Sequence, residues 1–199
     1  MTVRSVEHIG ANTHTFMEAL TSRDVLNFWV GAGPERWFSP DETFDAQVKD
    51  KFASLYEQAK ARYLNAWEEN VEGALALVIT LDQFPRNMFR DTPQAYESDA
   101  LALGVAERAI ERHFDFEVPD VMRRWFYMPF MHAEDIEIQE RCVGYCEQRL
   151  DSGETLEYAK GHCDIIRKFG RFPHRNMILG RTSTKGEVEF LEMGGFSGR

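Results

Sequence analysis

Residues 72–88, EGALALVITLDQFPRNM, decide the fold of this chain. The apolar run from Glu72 to Gln83 is too long for a typical β-strand, so it predicts a buried helix. Proline lacks a backbone donor and fixes one dihedral angle, so we expect this helix to end at Phe84-Pro85. The polar residues Arg86 and Asn87 then lie on an ordered bend just beyond the helix.

The same motif returns later in the chain with one histidine inserted. Phe84-Pro85-Arg86-Asn87-Met88 is repeated as Phe172-Pro173-His174-Arg175-Asn176-Met177. Each copy follows a helix-like apolar segment, and each leads to a further arginine, Arg90 or Arg181. Arginine presents a rigid fork of donors that suits carboxylates and phosphates. Each copy can therefore either lock a corner of the fold or bind an anionic ligand.

The rest of the chain is also predicted to be helical. Ser39-Pro40-Asp41-Glu42 has the pattern of a helix start, with Ser39 as the cap. An apolar face at helical spacing follows it: Phe44, Val48, Phe52, Leu55, Tyr56, Ala59 and Tyr63. We expect further helices over 22–30, from Thr92-Pro93 to Phe114, over 119–129, 134–150 and 154–169, and from Thr184 onward. No segment alternates as a strand would, so the predicted fold class is all-α, with antiparallel helix pairs stacked as in a solenoid or a compact bundle.

The length and composition predict one folded domain. With 199 residues and 43% hydrophobic side chains, the chain can bury a substantial core. We place the domain at 21–193, between a loosely ordered N-terminal extension (1–20) and a flexible tail (194–199). No apolar run is long enough to cross a bilayer, and no signal sequence is evident. Three cysteines, an odd number, favour reduced thiols and a cytoplasmic location.

The charge limits the classes of partner. A net charge of -10 argues against nucleic acid, which normally requires a clustered basic face. The arginines that gather around the two Phe-Pro segments would attract small anions better than polyanions. We therefore expect a small anionic molecule or a peptide as partner, no nucleic acid and no membrane, and a homo-oligomer remains open. No phosphate-binding loop or nucleophile elbow is present, and the sequence names no cofactor.

The candidate ligand-binding residues cluster at the two copies. The segment Gly180-Arg181-Thr182-Ser183-Thr184 runs into a helix N-terminus, where free amides favour an anion. The alternative is a structural role, in which the arginines pair with nearby acids such as Asp82 or Asp99. The predicted ligand-binding set comprises Arg86, Asn87, Arg90, Arg171, His174, Arg175, Asn176, Arg181 and Ser183.

A second constellation contains the histidines. His132 and Glu134 lie together at the entry of a helix, where they could form an acid–base pair. His162 shares a helical face with Ala159 and Ile166, so it points toward the apolar interior. Together with His174, these groups would suffice as weak candidates for a divalent metal ion, although their spacing matches no metal motif. The thiols of Cys142, Cys146 and Cys163 are expected to be small core residues.

Several of these motifs together resemble a known bacterial family. The segments Phe28-Trp29, Arg36-Trp37-Phe38, 81–90, 126–134 and 169–184 are similar to the family called domain of unknown function 924. The resemblance runs from about Val25 to Leu191. It implies one all-helical domain of the tetratricopeptide-like class and no established activity. Met128 and Ala133 stand where we would expect leucine and serine.

Three functional hypotheses remain open at this point. The first is a binding protein whose arginines hold a small anion or a peptide carboxylate. The second is a hydrolase-type enzyme that uses His132 and Glu134, with or without a metal. The third is a structural interaction scaffold in which both motifs are corner locks. The inserted His174, close to His162 and Ser183, favours the second copy as the functional one and the first copy as its structural counterpart.

Overall fold

The computed structural model describes residues 19–196, which contain helices and turns and no β-strand. This confirms the all-α class. The α-helices are α1 (Ser22–Ala32), α2 (Pro34–Trp37), α3 (Glu42–Lys60), α4 (Val71–Val78), α5 (Phe84–Met88), α6 (Asp99–Glu111), α7 (Asp120–Met131), α8 (Ile136–Arg149), α9 (Gly153–Phe169) and α10 (Lys185–Glu192). A π-helical turn (Ile79–Gln83) joins α4 to α5, and short 3-10 turns lie at Asn65–Glu69, Pro93–Tyr96, Phe114–Glu117 and Pro173–Arg175.

Helix α4 is the centre of the fold. Its residues from Gly73 to Val78 are all buried, because α4 packs against α1, α6 and α7. Gly73 is required there, since a side chain at this position would collide with the carbonyl of Trp67. The packing around α4 is compact, as in the bundle alternative, and the tetratricopeptide-like superhelix stays a prediction. No helix within 19–196 combines the length and the apolar character needed to cross a bilayer.

Aromatic rings fill the core between α1, α3, α5 and α7. Phe52 and Phe84 stack with their ring centroids 4.6 Å apart, and Trp29 meets Trp125 edge to face at 5.1 Å. Trp37 donates its indole N–H to the carbonyl of Trp29 at 2.7 Å, which connects the end of α2 to α1. Burial of such large rings contributes several kcal/mol to folding, so this cluster fixes one wall of the site described below.

Several predicted helix boundaries are wrong in detail. The cap of α3 is Asp41, which accepts from the amides of Thr43 and Phe44, and Ser39 lies outside the helix. The apolar face of α3 is buried as predicted as far as Ala59. Tyr63 is 80% exposed, because the helix ends at Lys60 and Arg62 takes a left-handed conformation.

The C-terminal part forms a smaller apolar cluster around Phe172. Ile165, Ile166 and Phe172 are buried there, and α8 and α9 pack as the predicted helix pair. Thr184 caps α10 through a capping box with Glu187, also as predicted. Phe196, which the predicted boundary assigned to the tail, lies 4.5 Å from the ring of His162. Residues 1–18, most of the predicted extension, and 197–199 lie outside the described part of the chain.

Candidate functional site: a cavity beside the first motif

A cavity of about 300 Å³ lies between the loop after α2, α5, α7 and the start of α9. Its walls are mostly apolar and aromatic. Trp37, Phe38, Met128, Met131, Tyr158 and Phe196 supply this surface. Ligand sites are typically concave and apolar, with a few convergent polar groups, so the polar residues of this cavity decide what it can do.

The first motif supplies one polar wall because the helix does not end at Pro85. The amide of Phe84 bonds the carbonyl of Ile79, five residues back, which widens the helix by one π-turn. The carbonyl of Leu81 then accepts from the hydroxyl of Ser98 at 2.6 Å. The helix therefore continues through the proline, and the predicted stop at Phe84-Pro85 is wrong.

This continuation places Gln83, Arg86 and Asn87 along one side of the helix, and Arg90 lies in the turn that follows α5. Gln83, Arg86, Asn87 and Arg90 are spaced i, i+3, i+4 and i+7, and all four line the cavity. The spacing was visible in the sequence. It was missed because the proline was interpreted as the end of the helix.

Asp82 is the charged centre behind this wall. Its carboxylate is fully buried and accepts a hydrogen bond from Gln83. It also lies 2.8 Å from Nδ1 of His132 and 3.3 Å from the guanidinium of Arg86. Burial by itself would raise the pKa of Asp82, but the charge of Arg86 and the bond to His132 outweigh it and lower the pKa to about 2. Asp82 is therefore ionised at neutral pH.

His132 bonds Asp82, not Glu134. Burial and the nearby charge of Arg86 lower the pKa of His132, while Asp82 opposes that shift. The imidazole is thus neutral at pH 7, and an ionised partner requires the proton on Nδ1. Nε2 has no hydrogen-bond partner among residues 19–196, and 13% of the His132 side chain is accessible.

His132 and Glu134 are not hydrogen-bonded to each other, because Glu134 binds other groups, and their predicted role as an acid–base pair stays a prediction. The guanidinium of Arg181 donates hydrogen bonds to both carboxylate oxygens of Glu134, and one of the N–O distances is 2.9 Å. The amide of Phe172 also donates to Glu134 at 2.8 Å. Burial raises the pKa of Glu134, but these bonds outweigh it and lower the pKa. Glu134 is a partner of the second motif.

The second motif is locked by internal bonds. Asn176 donates to Ser183 at 3.1 Å and accepts from Nε of Arg181 at 2.9 Å. Arg171 forms a two-pronged bond with Glu187 at 2.6 and 2.9 Å. None of these residues lines the cavity, so a function at the second copy stays a prediction.

Arg175 is buried between two rings. Its guanidinium carbon lies 4.6 Å from the ring centre of Tyr96 and 4.5 Å from that of Phe172. Its nearest carboxylate is Asp99 at 3.7 Å, which Arg86 also binds at 2.9 Å. The two copies of the motif therefore meet at Asp99. Arg175 borders a separate open groove of about 730 Å³, which His132 and Glu134 also line.

Of the three described arginines that line the cavity, Arg86 and Arg90 bind carboxylates and Arg124 does not. Arg90 binds Asp45 through two bonds of 2.7 and 2.8 Å, and Asn87 donates to the same carboxylate at 2.7 Å. Arg124 of α7 lines the cavity and forms no hydrogen bond or ion pair with any residue in 19–196; its Nε is buried without a partner. In the sequence no motif surrounds Arg124, so no local pattern marks it as a functional residue.

The other histidines do not gather around a metal site. His162 lines the cavity but bonds the carbonyl of Tyr158 through Nδ1 at 2.8 Å. His174 lies outside the cavity, with its Nδ1 buried and unpartnered. Burial lowers the pKa of His162 to about 4 and that of His174 to about 3. No group of three or more potential ligands that could hold a metal ion occurs within residues 19–196. All three cysteines are buried and unbridged.

Comparison with known proteins identifies relatives but no activity. A family model described as a bacterial protein of unknown function (DUF924) matches residues 25–195. A solved structure of a protein of unknown function, ATU0120 from Agrobacterium tumefaciens, is 44% identical and has a TM-score of 0.84. The match covers 87% of this chain and 97% of that one. No curated protein matches.

Proposed function

The chain belongs to the DUF924 family of bacterial proteins of unknown function, and since that membership assigns no activity, we propose a function from the cavity. The protein binds a small ligand that has an apolar body and one carboxylate. The observation that carries this proposal is the unpaired guanidinium of Arg124 in the cavity wall.

The cost of leaving Arg124 unpaired supports a ligand anion. A partly buried cation without a counter-charge is unfavourable, and proteins normally pair such groups. Arg86 and Arg90 line the same cavity, and each is bonded to a carboxylate of the protein. Among the described residues that line the cavity, Arg124 is therefore the arginine without a carboxylate partner, and since Glu154 adds a negative charge to the same lining, a ligand with a single negative charge is favoured over a phosphate dianion.

The walls support a ligand with an apolar body. Trp37, Phe38 and Met128 contribute rings and a flexible thioether to the walls, and Tyr158 and Phe196 contribute two further rings. A volume of about 300 Å³ is at the lower end of the range for small-molecule sites. It suits an aryl or short alkyl carboxylate better than a long peptide.

The test uses 3-phenylpropionate as a probe and its uncharged alcohol as a reference. We expect calorimetry and ligand-observed NMR to detect the carboxylate at an affinity at least about tenfold tighter than the alcohol, since charge-assisted bonds contribute about 1.5–3 kcal/mol. Arg124→Gln should remove that difference. Arg23→Gln is the matched control, because the side chain of Arg23 is 75% exposed and lies outside the cavity.

Two results would overturn the proposal. One is equal affinity for the carboxylate and the alcohol in the wild-type protein. The other is an unchanged preference for the carboxylate in Arg124→Gln, which would leave the unpaired guanidinium without a role in binding.

A further inference from the structure

We propose that His132 is the general base of an ester hydrolase, and that the substrate is an ester that also carries the free carboxylate bound by Arg124. This inference rests on the proposed function, because it uses the same cavity and the same anchor. It replaces the predicted pair of His132 and Glu134 with a different pair, His132 and Asp82.

The geometry around His132 is that of an oriented base. Nδ1 is held 2.8 Å from a fully buried carboxylate, and Nε2 has no hydrogen-bond partner among residues 19–196, while 13% of the side chain is accessible. Asp82 is itself held by Gln83 and Arg86, so its oxygen cannot turn away. A carboxylate that fixes the tautomer of a histidine and supports the imidazolium formed on proton uptake is a recurring feature of hydrolytic sites.

His162 and His174 lack this arrangement. Nδ1 of His162 bonds a backbone carbonyl, and Nδ1 of His174 has no partner. A histidine that is present only for packing does not require a buried carboxylate, whose desolvation costs several kcal/mol. The charges that act on His132 come from three elements: Asp82 in the π-turn, Arg86 on α5 and Asp99 on α6.

The reaction uses water as the nucleophile. No serine, threonine or cysteine within 19–196 is hydrogen-bonded to His132, so no side-chain nucleophile is activated there. Nε2 takes a proton from water as the water oxygen bonds the ester carbonyl carbon. The C–O bond to the leaving group then breaks, and the leaving oxygen takes the proton back from Nε2. The products are a carboxylic acid, which ionises in solution, and an alcohol.

The test substrate is mono-para-nitrophenyl glutarate, which has one activated ester and one free carboxylate. We expect the wild-type protein to release nitrophenol with saturation kinetics, and His132→Ala to lower kcat by about 100-fold or more, in the usual range for a lost general base. Added imidazole should restore part of the rate of His132→Ala, which a merely structural role would not allow. His113→Asn is the control, because His113 is exposed, is not among the residues that line the cavity and has a left-handed conformation that asparagine accepts.

The variants separate anchor, base and positioning group. Arg124→Gln should raise KM with little change in kcat, and para-nitrophenyl acetate, which has no carboxylate, should show no effect of that variant. Asp82→Asn should lower kcat and also lower the pKa of His132 in an NMR titration, because the carboxylate that raises it is gone. If Asp82→Asn does not fold, His132→Ala with imidazole rescue decides.

The outcomes distinguish this inference from the proposed function. Binding of 3-phenylpropionate without turnover of the half-ester overturns the hydrolase and leaves the binding function intact. Turnover that is unchanged in His132→Ala, or that imidazole does not restore, also overturns it. Failure of the carboxylate probe and of the half-ester together removes both.

Discussion

The two Phe-Pro motifs have nearly the same sequence and different structures. The first continues a helix through Pro85, so that Arg86 and Asn87 line a cavity. The second forms a 3-10 turn, and its Arg175 is buried between two rings. The difference lies in what surrounds each proline. At the first motif, the hydroxyl of Ser98 donates to the carbonyl of Leu81, which Pro85 cannot bond because it lacks an N–H. At the second motif, the carbonyl of Phe172 accepts from the amide of Arg175 and from the side chain of Arg181.

The comparison also separates two uses of arginine. Around the second motif, each carboxylate has a committed arginine: Glu134 binds Arg181, and Glu187 binds Arg171. Around the first motif, Arg86 pairs with Asp82 and Asp99, and Arg90 pairs with Asp45. Arg124 has no carboxylate partner within residues 19–196. We infer that the second motif stabilises the C-terminal segment, and that the first motif contributes to the proposed ligand cavity.

The largest expected contrast is the acid sensitivity of the second region. The pKa values of His162 and His174 are lowered to about 4 and about 3 by burial. Between these values and about 6.5, the unfolded chain binds protons that the folded chain does not, so stability falls as pH falls. For two such groups we expect a loss of about 3 kcal/mol from about pH 6.5 to about pH 5. Urea unfolding across that range measures it.

His174→Gln tests the source of this acid sensitivity. Replacement of one titrating group should remove about half of the slope. His132 also has a lowered pKa, so it adds to the same trend from the first region. A stability that is flat over this range would show that neither histidine stays neutral in the folded protein.

The next largest effect is expected at Glu134. Glu134→Ala leaves Arg181 without its carboxylate and the amide of Phe172 without its acceptor. Breaking a fully buried ion pair costs about 3–5 kcal/mol, and because about a quarter of each side chain is exposed here, we expect about 2 kcal/mol. Affinity for 3-phenylpropionate should not change. The control is Glu157→Ala, whose side chain is 75% exposed.

If Glu134→Ala weakened ligand binding and left the free energy of unfolding unchanged, the second motif, and not the first, would serve ligand binding. Chemical unfolding and calorimetry on the same preparations give both quantities.

A smaller effect is expected at Ser98, which tests why the first proline does not end the helix. Ser98→Ala leaves the carbonyl of Leu81 buried and unpaired, which costs about 1–2 kcal/mol. The exposed Ser54 of α3 provides the matched control, Ser54→Ala. A neutral Ser98→Ala would mean that the helix passes Pro85 without outside help.

The sequence predicts the elements better than their contacts. The buried face of α3 and the cap of α10 follow from local spacing, so both were predicted correctly. The π-turn at 79–83 was not predicted, because Pro85 by itself favours the end of a helix. The carbonyl of Leu81, which lacks an amide partner there, accepts from the hydroxyl of Ser98, and Ser98 lies on another segment of the chain. For the same reason, the partner of His132 was misassigned: Glu134 is close in sequence, whereas Asp82 is fifty residues away and close only in the fold.

The smallest change in stability is expected at Arg124, and it is the sharpest test of the comparison. Arg124→Met removes a charge that has no partner in the described chain and keeps most of the side-chain volume, so stability should stay within about 0.5 kcal/mol or rise slightly. Arg181→Met removes a charge that binds Glu134 and Asn176, and should cost about 2 kcal/mol. Urea unfolding of both variants, side by side, measures the difference. Equal losses would mean that Arg124 is as structural as Arg181, and the cavity would then lose the group on which ligand binding depends. If Arg124→Met keeps its free energy of unfolding but no longer binds 3-phenylpropionate, the first motif would serve ligand binding and the second would serve stability.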